Sequence, residues 1–162
     1  MDNRISRLRG VTLLEMLIVI SLLISLASLG LFVSFSHYRG VHFRDERMLI
    51  IGTLQKARSQ ALARLCFAPT CTTGVSHGVY FGTPGAYVVY EGDSYATRHE
   101  TEDERIESQQ SGPQIQGCRD MQFRVGSGNG SCLDGEPQVL VQEQDRVSTI
   151  TVSPVGRIWW DD

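Results

Sequence analysis

The chain has 162 residues, 41% of them apolar and 20% charged, with a formal net charge of -3 at neutral pH. That length holds one ordinary core plus an extended segment and excludes two independent domains of usual size. The acidic balance argues against a protein built around nucleic-acid phosphates, and the apolar residues are unevenly spread, because residues 11–35 carry no charge except Glu15.

In chain order, Arg4, Arg7 and Arg9 come first, opposed only by Asp2. A helix over residues 11–35 is roughly 37 Å long, enough to cross a hydrocarbon core of about 30 Å. The basic start keeps residues 1–10 in the cytoplasm and sends the remainder outward. A secretory signal peptide fits the start but not the end: the apolar run exceeds the usual core of about 7 to 15 residues, and no clear small-x-small cleavage site follows. A plain signal anchor is the stronger alternative.

Glu15 is costly in such a helix, by about 2.5 to 3.5 kcal/mol near the centre of a bilayer. The helix macrodipole offsets only about 0.3 to 1 kcal/mol of this. A cut between Gly10 and Val11 creates a new ammonium group one turn away, and in a staggered bundle the Glu15 of one subunit can pair with the amino end of its neighbour.

The string Arg9-Gly10 followed by Val11-Thr12-Leu13-Leu14-Glu15 and a long apolar helix resembles the class III leader of type IV pilins and type II secretion pseudopilins. The resemblance implies a leader peptide, residues 1–10, that a prepilin peptidase cuts between Gly10 and Val11. It also implies N-methylation of Val11 and a role for Glu15 in assembly. Val11 stands where that family more often carries Phe or Met.

Beyond the apolar stretch, "RDERMLIIGTLQKARSQALARL" places Ile50, Leu54, Ala57, Ala61 and Leu65 on one helical face, with Arg44, Glu46, Arg47, Gln55 and Arg58 off it. The periodicity predicts that the helix continues as an amphipathic half over residues 36–66 and is over by Pro69. From residue 67 to 162 the chain changes character. Short runs rich in Val, Tyr, Phe and Ile, such as "GVSHGVYFG", "AYVVYEG", "MQFRVG", "QVLVQ", "VSTITVS" and "GRIWW", alternate with glycine or polar turns. The predicted fold class is therefore α+β: a long N-terminal helix, membrane-embedded in its first half, packed on a small domain made of one antiparallel β-sheet, as in pilins.

Ser153-Pro154-Val155-Gly156 suits a tight turn between the last two strands. Between Glu91 and Glu107 lie seven acids against Arg98 and Arg105, which reads as a solvated connection with at most one short strand near Ile106. Two further stretches, Ala57-Arg58-Ser59-Gln60-Ala61 and residues 149–158, resemble the GspH/FimT group of minor pseudopilins and minor pilins.

Cys66, Cys71, Cys118 and Cys132 are disulfide candidates if the domain lies outside the cytoplasm. More than one pairing is open; the simplest joins nearest neighbours, Cys66 with Cys71 and Cys118 with Cys132, the latter enclosing "GSGNGS". The irregular spacing lacks a CxxC knuckle and disfavours zinc. His37, His42, His77 and His99 are scattered without a metal-binding or nucleophile motif. The acidic connection lacks the EF-hand pattern for calcium.

No catalytic residue, metal site or cofactor is expected. The resemblance implies a structural minor pilin or pseudopilin in a type IV pilus or type II secretion pseudopilus. It would be a single-pass protein of the cytoplasmic membrane with an extracytoplasmic domain, and its partners would be the prepilin peptidase, other pilin or pseudopilin subunits and the membrane. The alternatives are a DNA-binding minor pilin for DNA uptake and a generic membrane-anchored binding module. Loss of residues 1–10 removes three of the 15 basic side chains and one of the 18 acidic ones, leaving a net charge near -5, which disfavours DNA as a partner.

Overall fold

A computed structural model of the chain describes residues 12–69, 73–82, 86–107, 113–143 and 145–161, and for residues 32–39 the backbone alone. The chain divides into two compact units, Met1–Val41 and His42–Asp162. One helix, α1, Leu13–Leu62, contributes residues to both.

In the first unit the described side chains of residues 12–31 are all exposed. Leu13–Leu31 has a mean hydropathy of 2.3, and among the described residues this is the one segment of helix long and apolar enough to cross a membrane. Its serines are satisfied locally: Ser21 donates to the carbonyl of Ile18 at 2.8 Å, Ser25 to Ser21 at 3.0 Å and Ser28 to Ser25 at 2.8 Å. Each hydroxyl thus carries its own acceptor, as an apolar solvent requires.

The second unit is α+β. Its strands, among the described residues, are β1 His77–Phe81, β2 Ala86–Glu91, β3 Glu104–Glu107, β4 Gln114–Gly117, β5 Asp120–Phe123, β6 Gly130–Cys132, β7 Gln138–Glu143, β8 Arg146–Val152 and β9 Ile158–Asp161. They form two antiparallel sheets where the sequence suggests one. The first has the order β3-β2-β1-β5-β6 and the second β4-β7-β8-β9. The corner between them is Gly117, at φ +89, where an added Cβ would lie 2.4 Å from the Gln138 carbonyl oxygen. There β4 leaves the second sheet, Cys118 N–H donates to Gln138 at 2.9 Å, and Phe81 N–H binds the Arg119 carbonyl at 2.8 Å, delivering the chain to β1 of the first sheet. Only glycine fits such a path.

Period-two alternation fills the core from both sheets. Val79 and Phe81, Tyr87 and Val89, Met121 and Phe123, Val139 and Val141, and Ile150 and Val152 pack with Ile50, Ile51, Leu54, Ala57 and Ala61 of α1. Four of the five stripe residues are fully buried, and the two alanines leave room for bulky strand residues. Leu65 is not among them: α1 ends at Leu62 rather than near residue 66, and Leu65 stays 40% exposed. The helix stops in a left-handed cap, with Arg64 at φ +53, Arg64 N–H donating to Ala61 at 3.2 Å and Leu65 N–H to Gln60 at 3.0 Å. The Gly126 N–H adds a second bond to the Ala61 carbonyl at 2.8 Å. The predicted final hairpin forms: β8 pairs with β9, and Gly156, at φ +77, donates to Ser153 at 2.7 Å.

Candidate functional site

The residues singled out for processing and assembly lie at the start of α1. Gly10 and Val11 fall outside the described residues. Thr12 is the N-cap: its hydroxyl oxygen accepts the Glu15 backbone N–H at 3.2 Å and its carbonyl accepts Met16 N–H at 3.2 Å. Thr12-x-x-Glu15 is thus the sequence of a capping box, and it places an acid on the third helical residue, where the positive end of the macrodipole favours it. A threonine hydroxyl takes up one of the amides that the helix start leaves unpaired.

The Glu15 side chain is exposed, among Leu13 at 79%, Leu14 at 69% and Leu17 at 58%. Among the described residues it has no ion-pair partner. A carboxylate held at the mouth of an apolar, unburied helix face suits pairing with a cation brought by another molecule rather than chemistry on a substrate.

The cysteines bear on where the second unit works. Cys118 and Cys132 form a disulfide, with Cα atoms 5.9 Å apart, across the glycine-rich loop. Cys66 is disulfide-bonded too, and Cys71 lies outside the described residues. The sulfurs of Cys118 and Cys132 and a carboxylate oxygen of Asp134 lie within 4.8 Å of one another. Sulfurs joined in a disulfide offer no thiolate, so this group does not provide a metal cage while the bond is intact. Asp134 instead accepts the backbone N–H groups of Arg119 and Asp120 at 3.1 and 3.3 Å, bracing the corner that carries the bridge.

Among the described side chains, the histidines are not brought together into a catalytic arrangement. Of His37 only the backbone is described. His99 is exposed and precedes the short helical turn Glu100–Glu102. His77 is buried at the start of β1 opposite Glu91, with Nδ1 3.2 Å from the Val75 carbonyl and Nε2 without a hydrogen-bond partner. Burial pushes its pKa down, while the Glu91 carboxylate and the Val75 carbonyl pull it up. His77 is therefore a core residue held neutral.

Two buried acids escaped the sequence reading. Glu91 is 1% exposed and its carboxylate accepts the Phe67 N–H at 2.7 Å, while its carbonyl accepts His99 N–H at 3.2 Å. It thereby ties the segment after α1 and the acidic connection to the end of β2. Period two from Tyr87 and Val89 already placed it on the core side. Glu46, expected off the apolar stripe, is 7% exposed and accepts a hydrogen bond from the Tyr87 hydroxyl. It precedes Ile50 by one turn and so belongs to the buried face. Burial, and then the bond to Glu46, push the Tyr87 hydroxyl above its ordinary pKa.

The acidic connection is more ordered than a plain loop. It contains the helical turns Tyr95–Thr97 and Glu100–Glu102 and then β3. Arg98 binds Asp103 at 2.8 Å, and Lys56 of α1 pairs with Glu104.

No protein-family model, no curated protein and no solved structure matches this chain.

Proposed function

We propose that the chain is a structural subunit of a type IV pilus or type II secretion pseudopilus, of the minor pilin or pseudopilin kind. In this reading a prepilin peptidase removes residues 1–10 and exposes the amine of Val11, which is then methylated. The subunit waits in the cytoplasmic membrane, with Leu13–Leu31 in lipid and the second unit outside, and joins the fibre through its helix. Glu15 pairs with the amino end of a neighbouring subunit and sets the stagger, while apolar helix packing supplies most of the attraction.

The observation that carries this reading is the exposed carboxylate of Glu15 in the capped first turn of α1, at the start of the apolar segment Leu13–Leu31, whose side chains are unburied. The Cys118–Cys132 disulfide supports an oxidising compartment for the second unit, and the basic residues 1–10 support the matching orientation.

Mass spectrometry of the full-length chain, produced with and without an active prepilin peptidase and extracted from membranes, tests the proposal. The expected product begins at Val11 and carries one extra methyl group, only where the peptidase is present. A chain that keeps Met1 beside a peptidase cutting its own control substrate overturns it.

A further inference from the structure

In the second unit three segments touch: the end of α1 with its cap, residues 57–64, the β5–β6 loop, residues 124–129, and the β8–β9 turn, residues 153–157. Gly126 N–H bonds the Ala61 carbonyl at 2.8 Å, and Arg58 Nη2 bonds the Val155 carbonyl at 3.4 Å. The Gly128 carbonyl oxygen lies so near Gly156 that an added Cβ there would stand 1.9 Å from it. The three segments carry Arg58, Arg64, Arg124 and Arg157 and no acid. Among the described residues none of these four arginines forms a salt bridge, not even with Glu136, which precedes the Pro137 whose carbonyl accepts Val152 N–H. Arg64, Arg124 and Arg157 are exposed, as are Leu62 and Val155 beside them.

The acidic connection lies on the opposite flank. Strand order puts β3 and β6 at the two edges of the first sheet, about 19 Å apart at the usual spacing between strands. The helix repeats the division. Lys56 pairs with Glu104, and Gln60 lines a cleft with Glu102 and Glu104. Arg58 and Leu62, about 200° round the helix from Lys56 and Gln60, face Val155 and Gly128 instead. Within the connection Arg98 takes Asp103 and Glu100 and Lys56 takes Glu104, so Asp93, Glu102 and Glu107 have no salt bridge among the described residues, and Arg105 is the one further base. The gap between the flanks exceeds two Debye lengths of about 8 Å at physiological salt, so they do not neutralise each other within one molecule.

From this placement we infer that the basic flank docks the acidic connection of a second copy of this chain. Two faces of opposite charge on opposite sides of one unit give a head-to-tail contact, which extends into a row where a two-fold contact closes on a dimer. Arginine beside exposed leucine and valine suits a protein surface, and the complementary charge selects and orients the neighbour. The inference rests on the fibre reading for its setting and deepens it by naming the surfaces that meet. The two fail separately: a chain that begins at Val11 yet never self-associates sinks the contact alone, and salt-sensitive association of a chain that keeps Met1 sinks the processing alone.

The test is sedimentation equilibrium of the full-length protein in a density-matched non-ionic detergent. The association constant should fall at least about tenfold between roughly 0.02 M and 0.5 M sodium chloride. R124E/R157E makes both flanks acidic and E100K/E107K makes the second basic, all at exposed side chains, with folding checked by circular dichroism. Each variant alone should associate at least about tenfold more weakly than the wild type, and an equimolar mixture of the two should recover association, because the acidic flank of one then meets the basic flank of the other. Association that ignores salt and both variants comes from the apolar helix and overturns the inference. Loss in R124E/R157E with E100K/E107K unchanged, or a mixture that stays monomeric, overturns the assignment of a second copy as the partner.

Discussion

Replacing Cys132 by alanine breaks the Cys118–Cys132 bridge and leaves the Cys118 thiol as a small apolar group in the core it already occupies. The bridge spans a sequence separation of 14. Closing a loop of that size removes about 3 kcal/mol of conformational freedom from the unfolded chain at 25 °C. For a unit the size of His42–Asp162, the loss corresponds to a fall of about 12 °C in Tm. The assay is thermal unfolding of the full-length protein in detergent, followed by tryptophan emission. Both tryptophans lie in β9, so the signal reports the second sheet and not the membrane-capable part of α1. The wild-type protein melted with reductant should fall at least as far, because the Cys66 bond opens as well. A Cys132→Ala midpoint within about 3 °C of the wild type would refute the reasoning, since the bridge would then add little constraint.

His77 should make stability depend on pH. Its pKa in the folded state lies below the ordinary 6.5, so the unfolded chain takes up the proton more readily; the stability this contributes is complete above 6.5 and lost as the pH falls below it. The Tm should therefore drop between about pH 7 and pH 5.5, and His77→Gln should remove part of that drop; parallel profiles for the two proteins would contradict the assignment. Arg64 occupies the left-handed cap of α1, so Arg64→Gly should raise stability by about 1 kcal/mol in denaturant unfolding, whereas a loss would mean that its side-chain packing outweighs the backbone cost. Glu15→Leu removes an acid whose insertion costs about 2.5 to 3.5 kcal/mol, so the monomer should enter membranes at least as well. Its incorporation into sheared fibres, measured by quantitative immunoblot, should fall at least about tenfold, and unchanged incorporation would remove Glu15 from the assembly step.

Where side-chain periodicity was strong, the sequence was enough to find the element. Ile50, Leu54, Ala57 and Ala61 recur at helical spacing and are the face that α1 buries. The short strand near Ile106 and the final hairpin were legible from their apolar residue and their turn chemistry. Strands β4 "QIQG" and β6 "GSC" were not, because they carry almost no apolar alternation. They exist because Ile115 and Gln116 meet Val141 and Leu140 of β7, and Ser131 meets Gln122 of β5. Intrinsic strand preference is weak beside such pairing. The two buried acids were missed for a related reason: a carboxylate reads as solvated until a partner such as Tyr87 Oη or Phe67 N–H is placed against it.

The sequence by itself determined the apolar segment, its single acid, its basic flank, the α+β class and the buried stripe of the helix, since these follow from local composition and period. The division of the strands into two sheets, the Cys118–Cys132 bond and the burial of Glu46 and Glu91 were decided only by the tertiary structure. Each depends on residues far apart in the chain meeting at a particular distance, and Gly117, by turning the chain from one sheet into the other, sets several of those meetings at once.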